Sequence, residues 1–424
     1  MSRFRFVHAA DLHLDTPFEG VGRTDARVRD VLRDASLDAW DDLVRLTIDR
    51  QAAFLLLAGD IYDGAERGVR AQLRFRRGLE RLSEHGIQTF VVHGNHDPID
   101  GWSAIRSWPP AVTVFGADGV HSAAVEREGR RLATVHGVSY AQAAVTENLA
   151  QRFQRGPEPG LHIGVLHCNV GGNADHAPYS PCALDDLRRA RMDYWALGHI
   201  HQRQMLAEGD PWVAYPGNLQ GRSPRPSELG AKGALVVEAD NTRVHRVDFV
   251  PVDRIRFVRC EIDVSGCADL AEIEAALWQQ AERVRERHDG RGLLLRVVLT
   301  GRDGPHADLQ RPGLIDELLR ELRQQAEGWA PVLWWQGVQD QTRLGVDREL
   351  IRGRGDFSAE LMAGVEALAA DPERRNAFIA QRLQPLQERG FHRWIPDVEP
   401  DQALELLREA EDLALDLLEQ EEQS

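Results

Sequence analysis

Short apolar runs, each closed by glycine or polar residues, set the rhythm of the first 250 positions. The runs at 4–9, 54–58, 89–93, 132–137, 162–166, 194–197 and 234–237 have the length and composition of strands. Amphipathic stretches at 26–50 and 69–86 separate the first three and predict helices. Short strands alternating with helices predict a layered α/β domain. Further strands are expected at 111–115, 119–126 and 244–249, with fewer long helices, so the later part is expected to be partly antiparallel. The pattern then changes. Strands at 255–264, 293–300 and 332–338, with helices at 269–286 and 314–326 between them, predict a small α+β domain over 251–345. Residues 346–424 read as helical, with candidates at 358–370, 372–388 and 401–422. The last carries Ala403, Leu407, Ala410, Ala414 and Leu417 at alternating spacings of four and three. Such a seam packs either on a partner helix or on the body of its own chain.

Composition narrows the class. The 424 residues allow several domains, and 42% hydrophobic content excludes a mostly disordered chain. No apolar run approaches the roughly 18 residues of a membrane span, and Met1–Val7 lacks the apolar core of a signal peptide. A soluble, cytoplasmic protein without membrane contact is expected. Cys168, Cys182, Cys260 and Cys267 form no close pair in sequence, which argues against a zinc ribbon or a disulfide framework. The net charge of −16 weighs against DNA binding. However, residues 401–424 hold nine acidic residues against one arginine, half of that imbalance, so a cleft elsewhere is free to be locally positive.

Five segments gather the polar chemistry: Asp11-Leu12-His13, Gly59-Asp60-Ile61-Tyr62-Asp63, Gly94-Asn95-His96-Asp97, His167, and Gly198-His199-Ile200-His201. Each follows an expected strand, and strand carboxyl ends collect functional groups on one rim of an α/β layer. Imidazole, carboxylate and amide donors together suit manganese, iron or zinc. A carboxylate can bridge two such ions about 3.5–4 Å apart, and the pair can clamp a phosphate and activate water. Singly the segments are weak, and the glycines before Asp60, Asn95 and His199 read equally as turn residues. Their order together is the specific signal.

That order, D-x-H, GD, GNHD, H, GHxH, resembles the calcineurin-like metallophosphoesterases. Phe6–Asp15 and the late loop Tyr215–Arg222 are similar to the bacterial DNA repair exonucleases of the SbcD/YhaO type. The motifs span residues 6–222; the later regions match in layout only. The resemblance implies a layered β-sandwich flanked by helices over 1–250, a capping domain over 251–345 and a helical partner-binding region over 346–424. It implies two divalent metal ions, manganese above all. Asp11, His13, Asp60 and His201 would hold one, and Asp60, Asn95, His167 and His199 the other. His96 would be the catalytic histidine, its turn fixed by Asn95 and Asp97. The implied partners are DNA, an SMC-like coiled-coil ATPase and a second copy in a homodimer.

Asp63 departs from the best-known nucleases, which carry histidine there. A GDxxD pattern is typical of calcineurin-like protein phosphatases, so Asp63 is expected to orient His96, with capping of the following helix as the plainer alternative. Gly64 stands where those phosphatases have arginine. Arg222 and Arg225 are candidate phosphate contacts, Trp334 and Trp335 candidate stacking surfaces, and strand alternation would make one of the two tryptophans a core residue. The leading reading is a metal-dependent DNA exonuclease or endonuclease acting in repair. The alternatives are a phosphatase or cyclic-nucleotide phosphodiesterase, and a DNA-binding subunit of an ATPase complex.

Overall fold

The structure, a computed structural model, describes residues 3–21, 26–64, 68–101, 103–127, 129–172, 178–288, 290–302, 304–343, 345, 348–388, 398 and 400–423. The chain clusters into two compact units. The first comprises residues 1–260, 279–297 and 319–338; the second comprises 261–278, 298–318 and 339–424.

The first unit opens with β1 (Phe4–Ala9), α1 (Ala26–Asp49), β2 (Phe54–Ala58), α2 (Val69–Glu84), β3 (Gln88–Val92) and β4 (Val112–Val114). It continues with β5 (His121–Arg127), β6 (Arg130–Gly137), β7 (Leu161–His167), α3 (Leu184–Arg189) and β8 (Tyr194–Gly198). A hairpin follows, β9 (Gln204–Ala207) with β10 (Trp212–Tyr215), and then β11 (Gly233–Ala239) and β12 (Val244–Pro251). Two six-stranded sheets result, ordered β12-β11-β1-β2-β3-β4 and β5-β6-β7-β8-β10-β9. β1 to β4 run parallel, as do β6, β7 and β8, while β11, β12, β5 and β9 pair antiparallel.

Side-chain alternation builds the sandwich. Phe4 and Phe6 of β1 and Phe54, Leu56 and Ala58 of β2 join one buried cluster with Val135, Ile163, Val165, Tyr194 and Ala196 of the other sheet. The intervening residues, Val7, Ala9, Leu55 and Leu57, turn to the opposite face and pack with Trp40, Leu43, Phe75 and Leu79 of α1 and α2. The continuous apolar runs of β1 and β2 thus reflect burial on both faces. The β9–β10 hairpin was not legible in the sequence, because its apolar run is short and broken by Glu208-Gly209-Asp210-Pro211.

Next come β13 (Ile255–Asp263), α4 (Leu270–Arg287), β14 (Gly292–Thr300), α5 (His306–Leu309), α6 (Leu314–Gln325) and β15 (Leu333–Asp340), the strands forming a sheet ordered β13-β14-β15. Alternation would have left one tryptophan of β15 outside, yet Trp334 and Trp335 are both buried, at 6% and 0% exposure. Trp334 packs with Val28, Leu32 and Leu294, and the Arg323 guanidinium lies 4.4 Å above its ring. Covered on both faces of the strand, neither ring is free to stack a base.

The second unit adds α7 (Arg348–Arg354), α8 (Phe357–Ala370), α9 (Pro372–Glu388) and α10 (Pro400–Gln423). Ala403 and Leu407 of α10 pack with Ile379, and Leu415 with Ile351 and Met362. Glu411 and Asp416 share the buried side, paired with Arg348 at 2.9 Å and Arg302 at 2.9 Å. The seam therefore departs from the apolar spacing: Ala410 and Leu417 face outward, because arginines make two acidic residues tolerable inside. No helix among the described residues is long and apolar enough to cross a membrane.

Candidate metal centre

The carboxyl ends of β1, β2, β3, β7 and β8 converge, drawing ends from both sheets of the sandwich. Asp11 and His13 follow β1, Asp60 and Asp63 follow β2, and Asn95 and His96 follow β3. His167 closes β7, and His199 and His201 follow β8. Tight turns at these ends put Asp11, His13, Asp60 and His199 in the left-handed region, at φ 51°, 43°, 50° and 103°. Such backbone costs of order 1–3 kcal/mol per residue, so four cases at one rim mark a strained, pre-set site. The glycines before Asp60 and Asn95 do more than turn. A Cβ on Gly94 would stand 2.3 Å from Asp60 Oδ1, and one on Gly59 2.4 Å from His167 Nδ1.

Ligand atoms of Asp11, His13 and His201 lie within 4.8 Å of one another, as do those of Asp11, Asp60 and His167, and those of His13, Asp63 and His96. The first two groups share Asp11, and Asp60 of the second has Oδ2 3.4 Å from His167 Nε2 and 3.9 Å from His13 Nε2 of the first. Asn95 Oδ1 is 2.9 Å from His167 Nε2. His199 lies outside these three groups. Its ring centroid is 5.2 Å from that of His167, and its backbone N–H donates to both oxygens of Asp11 at 3.1 Å.

The donor set fits metal ions. His167 Nδ1 donates to the Ala58 carbonyl at 3.0 Å and His201 Nδ1 to Glu228 at 2.5 Å, which turns each Nε2 toward the centre. His13 Nε2 is 3.1 Å from His201 Nε2. Two nitrogens bound at about 2.1 Å on neighbouring corners of one ion stand about 3 Å apart. His13 Nδ1 is buried with no hydrogen-bond partner among the described residues.

Electrostatics point the same way. Burial pushes Asp11 up to about 6, against the pull of His167 and His201. Burial also opposes a charge on His167, but Asp60 and Asp11 outweigh it and lift that imidazole to about 9. Burial would raise Asp60 too, yet His167 holds it well below the usual carboxylate range. Buried carboxylates at this density demand positive charge among them.

His96 sits at the edge, its side chain 43% exposed. Its Nδ1 is 2.6 Å from Asp63 Oδ1, whose other oxygen accepts Arg222 Nη1 at 2.9 Å. The Asp63 hydrogen bond raises the His96 pKa against burial. Asp97 Oδ1 accepts Gly94 N at 2.8 Å and Oδ2 accepts Ile61 N at 2.9 Å, tying this turn to the one after β2. A cleft of about 710 Å³ is lined by Asp60, Asn95, His96, His199, His201 and Arg222, among others. Arg225 also lines it and pairs with Glu19 at 3.3 Å.

Sequence reasoning missed Glu228, 5% exposed, which accepts His201 Nδ1, Asn218 Nδ2 at 2.8 Å and the Arg222 N–H at 2.9 Å. It missed Lys232, also buried, whose Nζ donates to the His201 carbonyl at 2.8 Å. Neither residue belongs to a ligand-spaced motif; only the unusual burial of a carboxylate and of the single lysine marks them.

Comparison with known proteins agrees with this geometry. A family model described as calcineurin-like phosphoesterase matches residues 4–203, and one described as the middle domain of metallophosphoesterase YhaO matches residues 257–343. The metallophosphoesterase YhaO of Bacillus subtilis is 36% identical over 80% of this chain and 81% of its own length. The DNA double-strand break repair protein Mre11 of Sulfurisphaera tokodaii is 24% identical over 81% of this chain and 82% of its own. A component of the nuclease SbcCD of Bacillus subtilis is 33% identical over 55% of this chain and 66% of its own. With its sheets flanked by helices and its Asp/His clusters at the strand ends, the chain belongs to the calcineurin-like metallophosphoesterases, in the YhaO family.

Proposed function

We propose that this metallophosphoesterase is a DNA nuclease that hydrolyses phosphodiester bonds with two divalent ions, manganese for preference. The observation that carries the reading is a pair of ligand groups joined through Asp11, with Asp60 of one group within 3.9 Å of His13 of the other and lining the cleft. Asp11, His13, Asp60 and His201 would hold one ion, and Asp60, Asn95, His167 and His199 the other. When bound, such ions lower the pKa of water and neutralise phosphate charge. The remaining work falls to the chain. Asp63 takes Nδ1 of His96 and leaves Nε2 as the nitrogen available to substrate. A protonated Nε2 donates to the leaving oxygen as the P–O bond breaks. Asn95 supplies a neutral amide, which adds no negative charge where phosphate binds.

DNA is favoured as substrate by the nuclease and DNA-repair names of the Mre11 and SbcCD relatives. In this reading residues 1–250 carry catalysis, 251–345 select the DNA form and 346–424 dock an SMC-like coiled-coil ATPase; a homodimer is the expected assembly. The second reading, a phosphatase or small phosphodiesterase, draws on Asp63, since a carboxylate at that place is the phosphatase pattern. The test is manganese-dependent degradation of end-labelled linear, circular and single-stranded DNA by wild type beside His96→Ala, with metal content measured in both. Loss of cleavage with both metals retained supports the nuclease. A wild type that binds two metals, spares every DNA and cleaves small phosphoesters transfers the assignment to the second reading.

A further inference from the structure

Arg222 is the cation best built into the cleft. Its main chain is fixed on both sides: the N–H donates to Glu228 at 2.9 Å, and the carbonyl accepts Glu19 N at 2.8 Å. Its side chain is only 14% exposed and lines the cleft beside Asp60, Asn95 and His96. Nη1 is committed to Asp63, but Nε is buried with no hydrogen-bond partner among the described residues. A buried guanidinium N–H without an acceptor is costly, and planar N–H forks match phosphate oxygens. Asp63 meanwhile holds the Arg222 and His96 side chains with its two oxygens, 2.9 and 2.6 Å away. One carboxylate therefore carries an anion-binding cation and a proton donor as a single unit.

We infer that Arg222 is a further catalytic residue, whose guanidinium binds a non-bridging oxygen of the substrate phosphate while Asp63 holds it beside His96. The inference rests on the phosphoesterase reading and does not need the substrate to be DNA. Arg225 is not equivalent, since its side chain is 73% exposed and paired with Glu19.

The experiment uses the full-length, manganese-loaded protein as wild type, Arg222→Gln and Arg222→Ala, with metal content measured in each. Inorganic phosphate is titrated by calorimetry, and hydrolysis of bis(4-nitrophenyl) phosphate is followed with and without added guanidinium. Both variants are expected to keep their metals, bind phosphate about 10- to 100-fold more weakly and lose about 100-fold in kcat. Guanidinium is expected to restore part of the Arg222→Ala rate. Phosphate affinity within about twofold of wild type in both variants overturns the inference, as does a wild type that binds no phosphate. Should Arg222→Ala fail to fold, Arg222→Lys carries the test: an ammonium keeps the Asp63 pair without the fork, and about 10-fold weaker phosphate binding is expected. A protein that spares all DNA yet shows these phosphate results refutes the nuclease while leaving Arg222 assigned.

Discussion

Replacing Glu228 by glutamine is nearly isosteric, yet the structure makes it a severe change. The carboxylate faces three donors: His201 Nδ1 at 2.5 Å on one oxygen, and Asn218 Nδ2 at 2.8 Å with the Arg222 N–H at 2.9 Å on the other. A glutamine keeps one acceptor oxygen and presents an NH2 in place of the second. With the amide one way round, His201 meets a donor and loses its fixed tautomer. With it the other way, Asn218 and the loop bearing Arg222 lose their acceptor. Each unmet buried donor costs about 1–3 kcal/mol, so about 2–4 kcal/mol of stability is expected to go. A mutated partner of a metal-binding histidine costs about 10- to 100-fold in metal affinity. The assay is manganese competition against a fluorescent chelator, paired with denaturant unfolding in excess EDTA. The EDTA series reads the metal-independent loss, and Glu228→Asp, which keeps the carboxylate, is expected to recover part of both. Manganese affinity within twofold of wild type in a destabilised Glu228→Gln would show that Glu228 only braces the loop and does not tune His201.

Three further outcomes are expected. Gly94→Ala drives a Cβ to 2.3 Å from Asp60 Oδ1 and 2.8 Å from His167 Cε1, so melting with and without metal should show about 1–3 kcal/mol lost and weakened metal binding; unchanged metal affinity would separate this turn from the centre. His136, hydrogen-bonded to Ser122 and His162, is pushed by burial and the His162 charge down to about 4 from its ordinary 6.5. Its unfolded form binds the extra proton first, so its contribution is complete above pH 6.5 and is lost as pH falls toward 4, by about 2–3 kcal/mol. Urea titrations at pH 7 and 5 on wild type and His136→Asn should show the smaller acid loss in the variant. Removing manganese with EDTA is expected to lower stability by about 4 kcal/mol relative to protein at a thousandfold excess over Kd, read as a drop in Tm by calorimetry.

What the sequence made legible followed its periodicities. The apolar runs of β1, β2, β3, β7 and β8 are near-continuous because both faces are covered, and each ends in a chemistry-bearing segment, so the rim could be read before the sheets were known. The juxtaposition of Asp63 with His96 follows from two turns meeting, a relation that spacing suggests but cannot measure. Glu228 was invisible for the opposite reason: its role exists only once residues 201, 218 and 222 are folded around it. The α10 seam escapes apolar spacing because Glu411 and Asp416 look like solvent residues until Arg348 and Arg302 are brought against them. The inward turn of both Trp334 and Trp335 depends on cover over each face of β15, which alternation along one strand cannot report.

The rim also has a mechanical meaning. Mainly apolar packing joins the inner faces of the sandwich, with His8 bridging to Tyr194 and the Leu197 carbonyl, whereas the two ligand groups draw Asp11, His13 and Asp60 from one sheet and His167 and His201 from the other. An ion held by such a set is a reversible rivet between layers, closing a loop as long as the 188-residue separation of His13 and His201. Loading and unloading it would tighten or loosen the mouth of the sandwich as a whole, and amide exchange at the ends of β7 and β8 would record that breathing.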